Sequence, residues 1–240
     1  MALDDYDDNE PNSSLSQHND VINSEDVIKQ RIELNKIVVD LGLPSETLWC
    51  KYNLGVNPNY LTKPEDWYGD YYAWGETESK TQYDWSNYQY ANGESNKLTK
   101  YCNKSTYGND GFTDKLTQLV PTDDIATVTN SVWRIPTKED FEELIAGTTN
   151  SWVTDYHGIS GLNGRVFTSK VNRNTLFIPA AGYHFGSNDN VVGSYCDLWS
   201  SSLCLDGPCY AYELYFNSGS IRMYGGSRYG GLSVRPVLNL

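Results

Sequence analysis

Residues 195–237 read YCDLWSSSLCLDGPCYAYELYFNSGSIRMYGGSRYGGLSVRPV. Residues 195–231 contain six Tyr, six Gly and six Ser, and no Lys. Tyr gives a large contact area at a low cost in rotamer entropy, while Ser and Gly allow loops to adapt, so this composition is typical of binding surfaces. Core-like residues frame it, including Trp199, which is predicted to be buried, and residues 232–237. The stretch therefore predicts a recognition surface on a fixed framework.

Alternation within this stretch separates inward positions from outward ones. Residues two apart on a strand lie on the same face of a sheet. This assigns Tyr212, Leu214 and Phe216 to the core and leaves Glu213 and Tyr215 for solvent. Substitutions at exposed positions usually change stability by less than about 0.5 kcal/mol. The outward set is therefore predicted to tolerate change.

A helix is predicted upstream of this stretch. Thr137 and Asp140 have the spacing of a capping box, and Gly147 is a stop signal. Its apolar face would consist of Phe141, Leu144 and Ile145.

Runs of β-branched and aromatic residues predict strands, and Gly, Asn and Ser mark the turns between them. Residues 57–130 lack periodicity and are predicted to be a loop-rich insertion packed by aromatic side chains. The pattern favours an α+β domain of mostly antiparallel strands with one or two short helices and long ordered loops. The predicted strands are residues 36–41, 48–52, 71–74, 166–169, 175–178, 194–201, 210–216, 221–224 and 232–237, with a hairpin turn at Asn217-Ser218-Gly219.

The net charge of −13 is unevenly distributed. The first 26 residues contain eight of the 31 acidic residues and no Lys or Arg. Residues 1–35 are predicted to be an acidic flexible leader with a short helix at residues 24–32, and residues 36–240 to be one domain. That helix either packs on its own domain or joins copies of the chain.

Charge and hydropathy also exclude some partners. A chain this acidic offers no positive groove for phosphates, so nucleic-acid binding is not expected. There is no apolar run of 18 residues, and no membrane insertion is expected. Met1 is not followed by the features of a secretory signal, so we expect either that the protein does not use that export route or that its start has been trimmed.

Metal ligands and a disulfide framework are not legible in the sequence. The five cysteines lack a CxxC pair, and the three histidines are scattered, so no metal or other cofactor is expected. Cys204 and Cys209 could form a bridge across a short loop, but free thiols are the favoured interpretation.

Several short phrases occur in a fixed order. They are VDLGLPS (39–45), YAWGE (72–76), WRIPT (133–137), LWSSS (198–202), AY (211–212), Leu214, FNSG (216–219) and SVRPV (233–237). Together they resemble the C-type-lectin-fold domains abundant in gut Bacteroidetes such as Bacteroides, which are related to the major paralogous domain family first noticed in Fibrobacter. The resemblance spans residues 36–238 and implies a C-type lectin-like fold. Glu46 stands where that family usually has Gly.

The same fold family includes the variable proteins of diversity-generating retroelements, among them receptor-binding proteins of phage tails. Their C-terminal parts carry positions diversified at adenines, commonly in Asn codons. The resemblance implies such a variable region at about residues 195–231. Glu213 is not a residue that those codons can become, so it is either fixed or drawn from another codon. The implied ligand-binding positions are Leu203, Leu205, Asp206, Pro208, Cys209, Arg222, Tyr224, Gly225, Tyr229 and Gly230, together with the outward-facing Glu213 and Tyr215.

The resemblance implies a recognition protein on a phage tail, in the virion, that contacts a protein or glycan ligand on a bacterial surface. Trimeric members of the family imply a homotrimer. The alternative is a secreted or lipid-anchored adhesin of the fimbrial type on a bacterial cell surface.

Catalysis is the less favoured alternative. The formylglycine-generating enzymes share the fold, and their Arg-Leu-Pro-Thr stretch resembles residues 134–137, but their paired cysteines find no counterpart in Cys204 and Cys209. Glu76 and Glu78 are more typical of solvated carboxylates than of an acid–base pair. Lectins of this fold bind calcium through Glu-Pro-Asn, which occurs here only at residues 10–12, outside the matching region. No enzyme is therefore predicted.

Overall fold

The computed structural model describes residues 36–238, apart from the side chain of Asp189. The predicted leader and its helix lie outside these residues. From Ile37 onward the chain forms one compact unit of the predicted α+β class, with mostly antiparallel strands and two α-helices in its described part.

The largest sheet contains the strands of the Tyr-, Ser- and Gly-rich stretch at residues 195–231. Its strand order is β11-β10-β9-β12-β3, and every neighbouring pair is antiparallel except β12 with β9. The predicted strands at 194–201, 210–216 and 221–224 are confirmed. The hairpin turn at residues 217–219 is confirmed too, since Asn217 Oδ1 accepts hydrogen bonds from the amides of Gly219 and Ser220. The bounds are β3 Tyr71–Tyr72, β9 Tyr195–Leu203, β10 Tyr210–Asn217, β11 Ile221–Ser227 and β12 Leu232–Ser233.

A second sheet joins the two ends of the unit, in the order β1-β2-β13. The predicted hairpin of the first two strands is confirmed. The predicted strand at 232–237 is divided into β12 and β13, because Pro236 has no amide hydrogen to give to a ladder and Arg235 is turned into the core. The bounds are β1 Val38–Asp40, β2 Leu48–Cys50 and β13 Val237–Leu238.

Two further sheets complete the β structure of the described residues. One is antiparallel with the order β4-β5-β6, and the other is the hairpin β7-β8. Strands β4, β7 and β8 were not predicted, because they carry mostly polar or half-buried residues with no apolar alternation. The bounds are β4 Thr148–Val153, β5 Gly164–Ser169, β6 Thr175–Pro179, β7 Tyr183–Phe185 and β8 Asn188–Asn190.

The predicted helix is confirmed as α2 (Lys138–Gly147). Thr137 caps it and forms the expected reciprocal pair with Asp140, whose carboxylate also binds Arg134 at 2.5 Å. Phe141 and Leu144 are fully buried. A shorter helix, α1 (Ile125–Thr129), was not predicted.

The large sheet separates two cores. On one face, Leu198, Leu214 and Phe216 pack with Phe141 of α2. On the other face, Trp199 packs with the aromatic side chains of residues 57–130, so the predicted loop-rich insertion is confirmed as a second core layer. This region contains 3-10 helices at Pro64–Trp67, Trp85–Asn87, Asn109–Gly111 and Pro121–Asp123, and another follows at Tyr156–Gly158.

Two fully buried arginines tie the loops to these cores. The Arg228 guanidinium donates to the carbonyl oxygens of Tyr101 and Pro208 and lies 4.9 Å from the Trp74 ring. Arg235 donates to Asn53 Oδ1 at 2.9 Å and to backbone carbonyls, and burial lowers its pKa to about 10. Because each guanidinium satisfies several loop carbonyls at once, both residues are part of the framework.

Two expectations about acidic residues are resolved by the structure. Glu46 has φ 58°, so the turn keeps the left-handed conformation that Gly would favour. Glu76, which was expected to be solvated, is buried because it pairs with Lys80 at 2.7 Å and accepts from the Gln89 amide. Glu78 is exposed as expected.

Candidate ligand-binding site

One face of strands β9, β10 and β11 is covered in part by the aromatic core and is otherwise open to solvent. The ladder places Asp197, Tyr215 and Arg222 side by side in one row. Trp199, Glu213 and Tyr224 form the next row in the same way. Side chains of directly opposed residues are neighbours, so the two rows form a continuous surface. Trp199 is buried as predicted, and its indole donates to the Tyr72 carbonyl.

Glu213 does not face solvent, and that expectation is wrong. Alternation correctly places Glu213 and Leu214 on opposite faces of β10, but at Glu213 the outward face is covered by other residues. The Glu213 side chain is 5% exposed. It lies over Gly226, where a Cβ atom would come within 2.0 Å of Glu213 Oε2. Glycine at this position therefore leaves the space in which the carboxyl group is buried.

A cavity of about 330 Å³ opens beside this carboxyl group. Its lining is rich in aromatic residues and comes from β7, β9, β10, β11 and β12. Its rim is solvent-accessible, since Tyr224 is 52% exposed. The lining residues are Tyr183, Phe185, Asp197, Tyr210, Glu213, Tyr215, Tyr224, Gly225, Gly226, Ser227 and Leu232.

Asp197 and Glu213 form a buried carboxyl pair within this lining. Burial raises the pKa of Asp197, and burial followed by the charge of Asp197 raises the pKa of Glu213 well above its usual range. Two neighbouring buried carboxylates repel each other, so the pair favours a state in which one of them is protonated. Asp197 Oδ2 is buried and has no hydrogen-bond partner. Burial therefore leaves the polar atoms of the pair only partly satisfied by hydrogen bonds.

Arg222 lies on the outer side of the same surface. Its guanidinium is 5.1 Å from the ring centroid of Tyr215 and 5.0 Å from that of Tyr224. Such contacts stabilise by about 0.5–1 kcal/mol at exposed sites. Arg222 and Tyr224 are both exposed, as expected for a recognition surface.

The loop between β9 and β10 carries a second group of predicted positions. Leu205 and Asp206 are exposed, and their carbonyl oxygens accept hydrogen bonds from Asn103 and Lys104. Together with Leu203 they line a separate cavity of about 460 Å³, beside Lys138 and Tyr212, rather than the aromatic one. Tyr212 was predicted to be in the core but is only half-buried here. The predicted site residues are therefore not all brought together.

Four predicted positions are buried in addition to Glu213. Leu203 and Cys209 are in the interior, and Pro208 gives its carbonyl oxygen to Arg228. Gly230 is also buried, and a Cβ atom there would lie 2.5 Å from the Phe185 ring. These positions therefore offer little accessible surface to a ligand in this conformation.

Tyr229 is half-buried, with its ring between those of Trp85 at 5.1 Å and Phe185 at 5.3 Å. Of the predicted set, only Glu213, Tyr215, Tyr224 and Gly225 line the aromatic cavity.

Several cavity residues were missed by the sequence analysis. Asp197 has the same parity as Trp199 on its strand, and this would have placed a carboxyl group beside the core. Tyr210 begins a predicted strand but was not assigned to the site. Tyr183 and Phe185 belong to β7, which has no legible strand pattern, so the sequence offered no signal for them.

Other kinds of site receive no support among the described residues. No group of three or more His, Cys, Asp or Glu side chains in this part of the chain could hold a metal ion. No helix within residues 36–238 is long and apolar enough to cross a membrane. All five cysteines are unpaired, as the free-thiol interpretation predicted.

No protein-family model, curated protein or solved structure matches this chain.

Proposed function

We propose that this protein recognises a ligand through the outer face of β9, β10 and β11. The observation that carries the proposal is the aromatic cavity, which combines exposed tyrosine rings with a small number of buried polar groups. Ligand sites are usually concave and largely apolar, with a few polar groups that fix orientation. Tyr rings add contact area at a low entropic cost.

The division between frame and surface supports recognition rather than turnover. Leu198 and Leu214 are buried against α2, while Tyr224 and Arg222 on the next strand are exposed. The exposed residues of the outer face can therefore change without loss of the core. A scaffold with this property suits a variable binding protein.

The resemblance gives the setting of the proposal. The antiparallel sheets and two helices are compatible with a C-type lectin-like fold. On that basis the protein is a variable receptor-binding protein of a diversity-generating retroelement, carried as a homotrimer on a phage tail. Its ligand is a protein or glycan on a bacterial surface, and it catalyses no reaction.

Binding to intact cells tests the recognition function. The fluorescently labelled full chain would be incubated with a panel of Bacteroidetes strains and measured by flow cytometry. Tyr224→Ala and Tyr215→Ala should reduce binding at least about tenfold, as expected for central aromatic contacts. Tyr60→Ala is the matched control, because Tyr60 is 69% exposed and does not line this cavity. Equal loss with the control, or no strain bound, would contradict the proposal.

The neighbouring DNA tests the setting independently. A reverse-transcriptase gene and a near-copy of the last hundred or so bases, differing at adenines, would establish the retroelement. A secretion or lipid-anchoring signal upstream of Met1 would instead favour the adhesin.

A further inference from the structure

The floor of the aromatic cavity carries two buried carboxyl groups, those of Asp197 and Glu213. Asp197 is 4% exposed, and its Oδ2 atom has no hydrogen-bond partner. An unpartnered buried carboxylate oxygen costs free energy, which a donor entering the cavity would recover.

We propose that this cavity binds an organic ammonium group, which lies against the Asp197 and Glu213 carboxyl groups and within the surrounding tyrosine rings. The inference rests on the proposed function and names the chemistry that the ligand presents at its centre. The ammonium group belongs either to a lysine-type side chain or to an amino sugar, since both carry the same charge and donors.

The composition of the cavity selects a cation over other ligands. Carboxylates accept the N–H donors of an ammonium group through charge-assisted hydrogen bonds. The rings of Tyr183, Tyr215 and Tyr224 line the same space, and aromatic faces attract cations. An anion would be repelled by the ionised pair, and a neutral group would not favour ionisation of the pair.

The charge of the pair depends on protonation, and therefore on the titratable groups around it. Burial and then the charges of Asp197 and Glu213 raise the pKa of Tyr183, and burial raises that of Tyr215. Burial and then Glu213 raise the pKa of the Cys204 thiol to about 12, so this group stays neutral. The other uncharged groups nearby are Tyr195 and the buried Cys196 on β9, Tyr210 on β10 and Tyr224 on β11. The cations on the surrounding elements are Arg222 on β11 and Lys138 on α2.

The two cations do not occupy the position of the ligand. Arg222 stacks on the rings of Tyr215 and Tyr224. Lys138 pairs with Glu142 at 2.6 Å and lies over the Tyr212 ring. Between about pH 5 and pH 8 the carboxyl pair is therefore the part of this lining that changes charge, since Tyr and Arg titrate well above that range.

Proton release on binding follows from this arrangement. The pair retains protons that ordinary carboxyls lose, because burial and mutual repulsion favour the protonated form. An ammonium group favours the ionised form and so expels a proton. Affinity should rise with pH, by up to about tenfold per pH unit for each proton released.

The test compares n-butylammonium with 1-butanol, which has nearly the same shape but no charge. Each is titrated into the full chain at constant ionic strength, with binding followed by NMR and calorimetry. We expect butylammonium to bind at least about tenfold more tightly, since charge-assisted hydrogen bonds are about twice as strong as neutral ones. Calorimetry in two buffers of different ionisation enthalpy should show proton release. Glucosamine and N-acetyl-lysine methylamide then distinguish the two sources of the ammonium group.

Variants assign the effect to the carboxyl pair. Asp197→Asn and Glu213→Gln should each reduce butylammonium affinity at least about fivefold and leave 1-butanol unchanged, because only the charge-assisted bonds are lost. Glu78→Gln is the control, since Glu78 is exposed and does not line the cavity. If a variant does not fold, the pH dependence of the wild type still decides.

Equal affinity for the two probes, no binding of either, or binding without proton release would overturn the inference. Tyr224-dependent binding to cells would in those cases leave the proposed function standing. Selective ammonium binding without cell binding would support the chemistry of the cavity and count against the proposed function.

Discussion

The carboxyl pair should make the protein less stable as pH rises. Burial and the charge of Asp197 raise the pKa of Glu213, so the folded protein keeps a proton that the unfolded chain releases. A carboxyl with a raised pKa has no effect on stability below its unfolded value, which is about 4.3 for Glu. Above that value it lowers the free energy of unfolding until pH passes the folded-state pKa.

The size of the effect follows from the number of retained protons. One proton held by the folded state costs about 1.4 kcal/mol per pH unit. Glu213→Gln removes this proton and preserves the shape of the side chain. Between about pH 5 and pH 7, the wild type should therefore lose roughly 3 kcal/mol relative to the variant.

Urea unfolding followed by tryptophan fluorescence measures this difference. The free energy of unfolding would be determined at three pH values for the wild type, Glu213→Gln and the exposed control Glu78→Gln. Groups that do not interact with Glu213 titrate alike in all three proteins and cancel in the comparison, whereas Asp197, which is coupled to Glu213, contributes to the difference. Parallel curves for the wild type and Glu213→Gln would refute the buried pair, as would a wild type that gains stability relative to the variant with rising pH.

Three further predictions concern the stability of the folded protein. Arg228→Met should lower the free energy of unfolding by about 3 kcal/mol or more, because it leaves buried carbonyls such as that of Pro208 without donors. Thermal unfolding would measure this loss, and an unchanged stability would contradict the role given to Arg228. Glu46→Gly should stabilise by about 0.5–1 kcal/mol by relieving a left-handed residue, whereas Glu46→Ala should not. Tyr224→Ala should change the free energy of unfolding by less than about 0.5 kcal/mol, whereas Tyr229→Ala should lower it by about 2 kcal/mol. The reason is that, of the two, only Tyr229 packs between other rings, and similar values for both variants would contradict this distinction.

Local signals in the sequence predicted the elements that have strong local causes. The cap at Thr137 and the stop at Gly147 define α2 without any tertiary contact. The strands of the large sheet follow from alternation, and the turn after Asn217 follows from its side chain. Strand β4 escaped prediction because it is stabilised mainly by pairing with β5, which no local pattern reveals.

The site was predicted less completely than the fold, for a different reason. Alternation gives the face on which a side chain lies, but it does not tell what covers that face. It placed Glu213 correctly on the face of Tyr215, yet the space above Gly226 and the hairpin of β7 and β8 decide that the carboxyl is buried. Depth in a cavity depends on distant segments of the chain, so it becomes visible only when those segments are placed.

The depth of each position limits how a variable surface of this kind can change. At exposed positions such as Leu205 and Tyr224, most substitutions cost less than about 0.5 kcal/mol, so diversity there leaves the frame intact. At the buried Leu203, truncation to Ala would cost about 2–5 kcal/mol, a large part of the stability of a typical domain. Glu213 is constrained in a third way, since its buried carboxyl group occupies the space above Gly226. Variation at the rim around a constant carboxyl floor would then change which molecule is bound while the charge that the cavity selects stays the same.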